Sequence, residues 1–152
     1  MGIGNVLMGD EGVGVHLAQA LEQEDLPEGI EVLDGGTGGF QLMEYFEYYP
    51  VVILIDATLD PEHEGAIRHI QPRFSNDFPK ALSTHDIGLK DVVEGLNLLG
   101  RLPEVHLVTI AIRDVQPMKM ELSGPIRSAF PELKDKVIQL AKTCLDKQPE
   151  SV

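Results

Sequence analysis

The 152-residue chain has a single cysteine, Cys144, which rules out an internal disulfide framework and any cysteine-rich zinc site. A reducing, cytoplasmic setting is the simplest expectation. No apolar run comes near the roughly 20 residues that span a bilayer, and no basic-then-apolar leader of the secretory kind is present. A membrane partner is therefore not expected. Basic residues are scarce: 12 Lys and Arg face 25 Asp and Glu, a formal net charge of −13. Such a surface repels phosphate backbones, and no Lys/Arg cluster offers a local exception, so nucleic acid is not an expected partner either. The acidity serves solubility and is compatible with a basic protein partner. Also lacking are internal repeats, low-complexity stretches, a Gly-x-Ser-x-Gly elbow and a His-Glu-x-x-His helix, so those hydrolase classes lose support.

What is present is an ordinary globular composition, 43% hydrophobic and 24% charged, at a length that suits one domain over residues 1–152 with a real core. Val13, Leu17, Ala18 and Leu21 have the spacing of one buried helical face. Ile30-Glu31-Val32-Leu33 reads as a short strand, followed by the glycine-dense turn Asp34-Gly35-Gly36-Thr37-Gly38-Gly39. Phe40, Leu42, Met43 and Phe46 suggest a short helix. Val51 to Ile55 is a continuous apolar run, the mark of a strand buried on both faces. Ala66 to Ile70 alternates like an edge strand, and residues 71–84 read as an extended loop. Leu89, Val92, Val93, Leu96 and Leu99 trace another helical stripe, with Asp86 as N-cap and Gly100 as stop. Val105 to Ile112 is a further buried strand. Ile126, Phe130, Leu133, Val137, Leu140, Ala141 and Cys144 share one side of a terminal helical region, which Pro131 either kinks or restarts. From about residue 147 the tail is expected to fray. The alternation predicts an α/β fold, a three-layer α/β/α sandwich around a mostly parallel sheet of about five strands.

Three potential metal ligands, Glu11, Asp56 and His85, each follow a segment that ends like the carboxyl edge of a strand, where open α/β sheets bind ligands. Asp10 and Glu11 also suit the positive end of a helix, a capping role worth about 0.3–1 kcal/mol each. Asp56 directly follows five apolar residues, so its carboxylate must be solvated at the sheet edge, paired or metal-bound. His16, His63, His69 and His106 lack comparable context and read as structural. Cys144 reads as a small packing residue. The dinucleotide fingerprint G-x-G-x-x-G fails twice: Gly2-Ile3-Gly4 is followed by Leu7, and Gly12-Val13-Gly14 by Leu17. In the turn at residues 34–39, glycine either serves a reversal through positive φ or lets backbone lie against a bound peptide; the first reading leads on physical grounds.

The blocks Gly2-Ile3-Gly4-Asn5-Val6-Leu7, Gly9-Asp10-Glu11-Gly12-Val13-Gly14 and Asp34-Gly35-Gly36-Thr37 closely resemble the hydrogenase maturation endopeptidases, as do Ile55-Asp56-Ala57, Ser83-Thr84-His85-Asp86, Gln116-Pro117 and Leu122-Ser123. Order and spacing match along almost the whole chain. The resemblance implies an endopeptidase dedicated to the [NiFe]-hydrogenase large-subunit precursor, which removes a C-terminal extension once nickel is inserted. It implies metal contacts and catalysis at Glu11, Asp56 and His85, and substrate recognition by Asp34, Gly35, Gly36 and Thr37. It also implies the sandwich fold. Glu11, where some relatives have Asp, keeps the carboxylate and extends its reach by one methylene. Family members lead into the Gly-x-Gly-Asn motif with a short apolar strand; here Met1-Gly2 stands in its place, so either that strand is abbreviated or the assigned start is late.

Two carboxylates and an imidazole suit nickel, zinc and other divalent cations alike. The leading expectation is nickel carried by the substrate, with its recognition completed by Glu11, Asp56 and His85. A metal-polarised carbonyl or metal-activated water, or Asp56 or Glu11 as general base, would then cut the peptide bond. A hydrolase with its own resident zinc, and a nickel-binding chaperone without activity, are the alternatives.

Overall fold

Two apolar stretches of equal length set the centre of the sheet. Val51–Leu59 (β3) and Glu104–Ile112 (β5) pair in parallel from Val51↔Glu104 to Leu59↔Ile112. The computed structural model, which describes residues 1–79 and 87–149, adds Gly2–Ile3 (β1), Asp34–Gly36 (β2) and Ile67–Ile70 (β4). The strand order is β2-β1-β3-β5-β4, parallel except for β4, which runs antiparallel along the edge. Helices Val13–Leu21 (α1) and Gly124–Lys147 (α4) pack on one face through Val13, Leu17, Leu21, Ile126, Leu133 and Val137. Met43–Tyr48 (α2) and Ile87–Leu98 (α3) pack on the other through Phe46, Leu89, Val92, Val93 and Leu96. This is the expected three-layer sandwich with five strands.

Several local expectations are corrected. The strand expected at Ile30–Leu33 lies at Asp34–Gly36 instead, inside the glycine-dense segment. Its pairing starts as the Gly2 N–H donates to the Leu33 carbonyl at 2.9 Å, so the apolar residues approach the sheet while the glycines make the ladder. Asp56 does not end its strand. β5 is equally long and apolar, and it keeps β3 paired through Leu59, leaving Asp56 opposite Thr109 in mid-strand. On the other side, however, β1 pairs with β3 at Gly2↔Ile55 and ends at Ile3, so Asp56 stands where β1 leaves the sheet. Leu99 is exposed, because Gly100 (φ 68°) ends α3 with Arg101 N–H donating back to the Leu96 carbonyl at 2.8 Å. Pro131 lies inside one continuous α4 and does not restart it. The proposed Asp86 cap falls outside the described residues.

Asp10 has a different job from the one its position suggests. It sits in the single-turn 3-10 segment Gly9–Gly12, fully buried, and no side chain caps α1. Its carboxylate instead accepts hydrogen bonds from Ser123 N–H and Ser123 Oγ, both at 2.7 Å, and from Gln116 Nε2 at 3.3 Å. The Asp10 N–H donates to Gln116 Oε1 at 2.8 Å, and Gly9 N–H to the Lys119 carbonyl at 2.7 Å. One carboxylate thus clamps the 113–123 loop against the 4–12 loop.

At the opposite end of β1, the Met1 ammonium is buried and donates to the Ile53 carbonyl at 2.8 Å. Burial pulls its pKa from 8.0 down to about 5. Beside it lies a cavity of about 270 Å³ lined by Met1, Leu26, Ile30, Leu33, Tyr49, Val51, Ile53 and Leu145, among others. It occupies the space between segment 30–33 and the start of β3.

Asp10→Ala should lower the unfolding free energy by about 3 kcal/mol, since it strands buried donors from Ser123 and Gln116; the urea midpoint reads this directly.

Candidate active site

The site begins with the absence of two side chains. A Cβ on Gly14 would lie 2.2 Å from the Ile55 carbonyl oxygen and 2.4 Å from that of Ile3. One on Gly2 would lie 2.0 Å from the Gly14 carbonyl oxygen. Only glycine fits at either position, and α1 therefore rests with its backbone directly on β1 and β3. Glu11 stands three residues before Gly14, and Asp56 directly after Ile55. The turn that carries Glu11 packs against β3. Glu11 and Asp56, 45 apart in sequence, thus stand on elements packed against each other.

Both carboxylates are buried, Glu11 at 4% exposure and Asp56 at 1%. Glu11 Oε2 accepts the Asn5 N–H at 2.8 Å, and Asp56 Oδ1 accepts the Ala57 N–H at 2.8 Å. A backbone donor therefore fixes the orientation of each carboxylate. Asn5 is itself held, its Oδ1 accepting the Leu7 N–H at 3.0 Å. Strand alternation puts Asp56 on the same face as Val52 and Leu54, the face that α3 covers. His85 lies outside the described residues; in the chain it comes two residues before the start of α3. Carboxylate oxygens of this kind are donors that suit a divalent ion.

The turn Asp34–Thr37 lies at the same edge, on the outermost strand. Asp34 and Thr37 are exposed. Gly36 adopts φ 53°, its N–H donates to Asp34 Oδ1 at 2.9 Å, and its carbonyl accepts the Gly4 N–H at 2.8 Å. The last bond ties this turn to the loop that carries Asn5 and Glu11. Around the edge stand exposed apolar side chains: Leu7, Phe40, Val115, Met118 and Met120. Met118 is 89% exposed with φ 63°, a conformation that non-glycine residues seldom adopt. The bridge between Met8 and Lys119 brings the loop of Leu7 beside the loop of Met118 and Met120.

Three of the other histidines have partners of their own. His63 pairs with Asp60 at 3.0 Å, and that bond is the main cause holding the Asp60 carboxyl below its usual range. His69 and His106 bond each other across β4 and β5. Sequence reasoning missed the Asp10–Gln116–Ser123 clamp. Its only trace was the late Gln116-Pro117 and Leu122-Ser123 pairs, to which no role was attached.

With this geometry in place, comparison with known proteins is informative. Residues 15–140 match the family model for hydrogenase maturation proteases. The chain is 35% identical over 143 residues to the hydrogenase expression/formation protein HupD of Bradyrhizobium diazoefficiens, covering 90% of this chain and 70% of that one. It is 32% identical over 121 residues to the hydrogenase 2 maturation protease of Escherichia coli, covering 77% and 74%. Among solved structures, the hydrogenase maturating endopeptidase HybD from Escherichia coli superposes with a TM-score of 0.84 at 28% identity, covering 94% of this chain and 90% of its own. A helix seated on glycine and two buried carboxylates thus sit within a fold shared with a maturating endopeptidase, and the chain belongs to the hydrogenase maturation protease family, as an endopeptidase of that class.

Proposed function

We propose that this endopeptidase removes the C-terminal extension of a [NiFe]-hydrogenase large-subunit precursor, and that it recognises nickel carried by the precursor through Glu11, Asp56 and His85. The observation that carries the reading is the burial and backbone anchoring of Glu11 and Asp56. Carboxylates so fixed meet an incoming cation with little reorganisation. His85, from the segment before α3, is the third donor in this reading. The ion is part of the substrate. It polarises the scissile carbonyl or the attacking water. Asp56 or Glu11, when not engaged by the ion, takes the water's proton as general base. The Asp34–Thr37 turn supports recognition, because an outermost strand offers main-chain groups to an extended peptide tail. The exposed Leu7, Met118 and Met120 support docking of the precursor's folded body, since apolar side chains exposed together mark interaction sites.

Incubation with nickel-loaded and nickel-free precursor, followed by mass spectrometry, tests the reading. The loaded precursor should shorten and the nickel-free one should not; equal cleavage of both would overturn nickel recognition. Asp56→Asn, Glu11→Gln and His85→Ala should each lower kcat at least about 100-fold, the scale of a lost proton acceptor or charge stabiliser. Met118→Glu should instead raise KM about tenfold or more with kcat unchanged, as expected for binding that is equal in ground and transition states. Steady-state rates on loaded precursor separate the two effects.

A further inference from the structure

A second donor cluster lies at the other end of β5. His106 Nε2 is 2.7 Å from Glu104 Oε1 and 3.5 Å from Cys144 Sγ. Among the described residues these three donors form a group whose ligand atoms all lie within 4.8 Å of one another. Glu104 and His106 are two apart on a strand, so both face α4, and Cys144 reaches them from that helix. His106 and Cys144 are buried, at 3% and 6% exposure, while the Glu104 side chain is 41% exposed and opens the group to solvent.

We propose that Glu104, His106 and Cys144 bind a thiophilic divalent cation of the zinc class. The mixed nitrogen, sulfur and oxygen set suits that ion, and three protein ligands leave one position for water. The distances also fit. With metal–nitrogen bonds of about 2.0–2.1 Å and metal–sulfur bonds of about 2.3 Å, tetrahedral nitrogen and sulfur ligands stand roughly 3.5 Å apart, as here. The nitrogen–oxygen separation must open by roughly half an ångström from the present hydrogen bond, which the half-exposed Glu104 side chain allows.

His106 is already oriented for this role. Its other ring nitrogen, Nδ1, is 2.7 Å from His69 Nε2, the outer bond that fixes the tautomer of a metal-bound imidazole. Metal uptake displaces the Cys144 thiol proton, because the thiolate is the ligand form. The candidate active site is elsewhere. Asp56 stands beside Thr109, five residues along β5 from Glu104, or roughly 16 Å at strand rise.

Cobalt(II) reports on thiolate ligation through its sulfur-to-metal charge-transfer absorption. Titration of the intact, reduced protein should give this band with a 1:1 endpoint, and equimolar zinc should bleach it. Zinc should also raise the melting temperature by tying α4 to β5. Cys144→Ser should abolish the band, and His69→Ala should weaken cobalt binding 10- to 100-fold. Asp56→Asn should leave the band intact. A folded protein that shows no band at stoichiometric cobalt has a hydrogen-bonded Glu104–His106 pair only, and the proposal fails. Survival of the band in Cys144→Ser, or its loss in Asp56→Asn, overturns it equally.

Discussion

The backbone contact between α1 and the strands beneath it is the constraint on which the rest depends. Helices usually sit on sheets through side chains. Here Gly14 meets the carbonyl oxygens of Ile3 and Ile55 with nothing between, and Gly2 meets Gly14 in return. The first turn of α1 is therefore held at a height set by backbone van der Waals radii. Glu11 is carried down with it to the edge where β1 ends and Asp56 stands. Any side chain at Gly2 or Gly14 would push the helix off these strands and take the turn of Glu11 with it.

Adjacent acidic residues then meet different fates. Asp10 is consumed by donors from Ser123 and Gln116 and ties two loops together. Glu11 accepts one backbone N–H within its own loop and contributes to the site. The clamp matters to the site because the loop it holds carries Met118 and Met120, two of the exposed apolar side chains beside it. Charge, packing and exposed apolar surface are thus coupled through one buried carboxylate.

Much of the layout was legible in the chain. The spacing of Val13, Leu17 and Leu21 marked α1, and the runs around Val52 and Val108 marked the two central strands, because burial on one face or two leaves a period in the sequence. Elements that owe their form to a neighbour were misplaced. β2 is built from glycines and carries no strand signal of its own; pairing with β1 creates it. Asp56 appeared to end a strand, yet β5 keeps β3 paired for three residues beyond it. Pro131 is carried within α4, whose Ile126, Leu133 and Val137 anchor the helix on both sides of it.

The sequence by itself determined the alternation of helices and strands, the family, and the identity of the acidic candidates, since each is written in local period or residue order. Tertiary structure alone decided which distant side chains bond to one another. The Asp10 clamp spans more than a hundred residues, and the Glu104–His106–Cys144 group joins a strand to a helix 38 residues further on. Contacts of that range have no signature in local composition. They exist only because close packing of α1 and α4 on the sheet fixes distances that the unfolded chain leaves open.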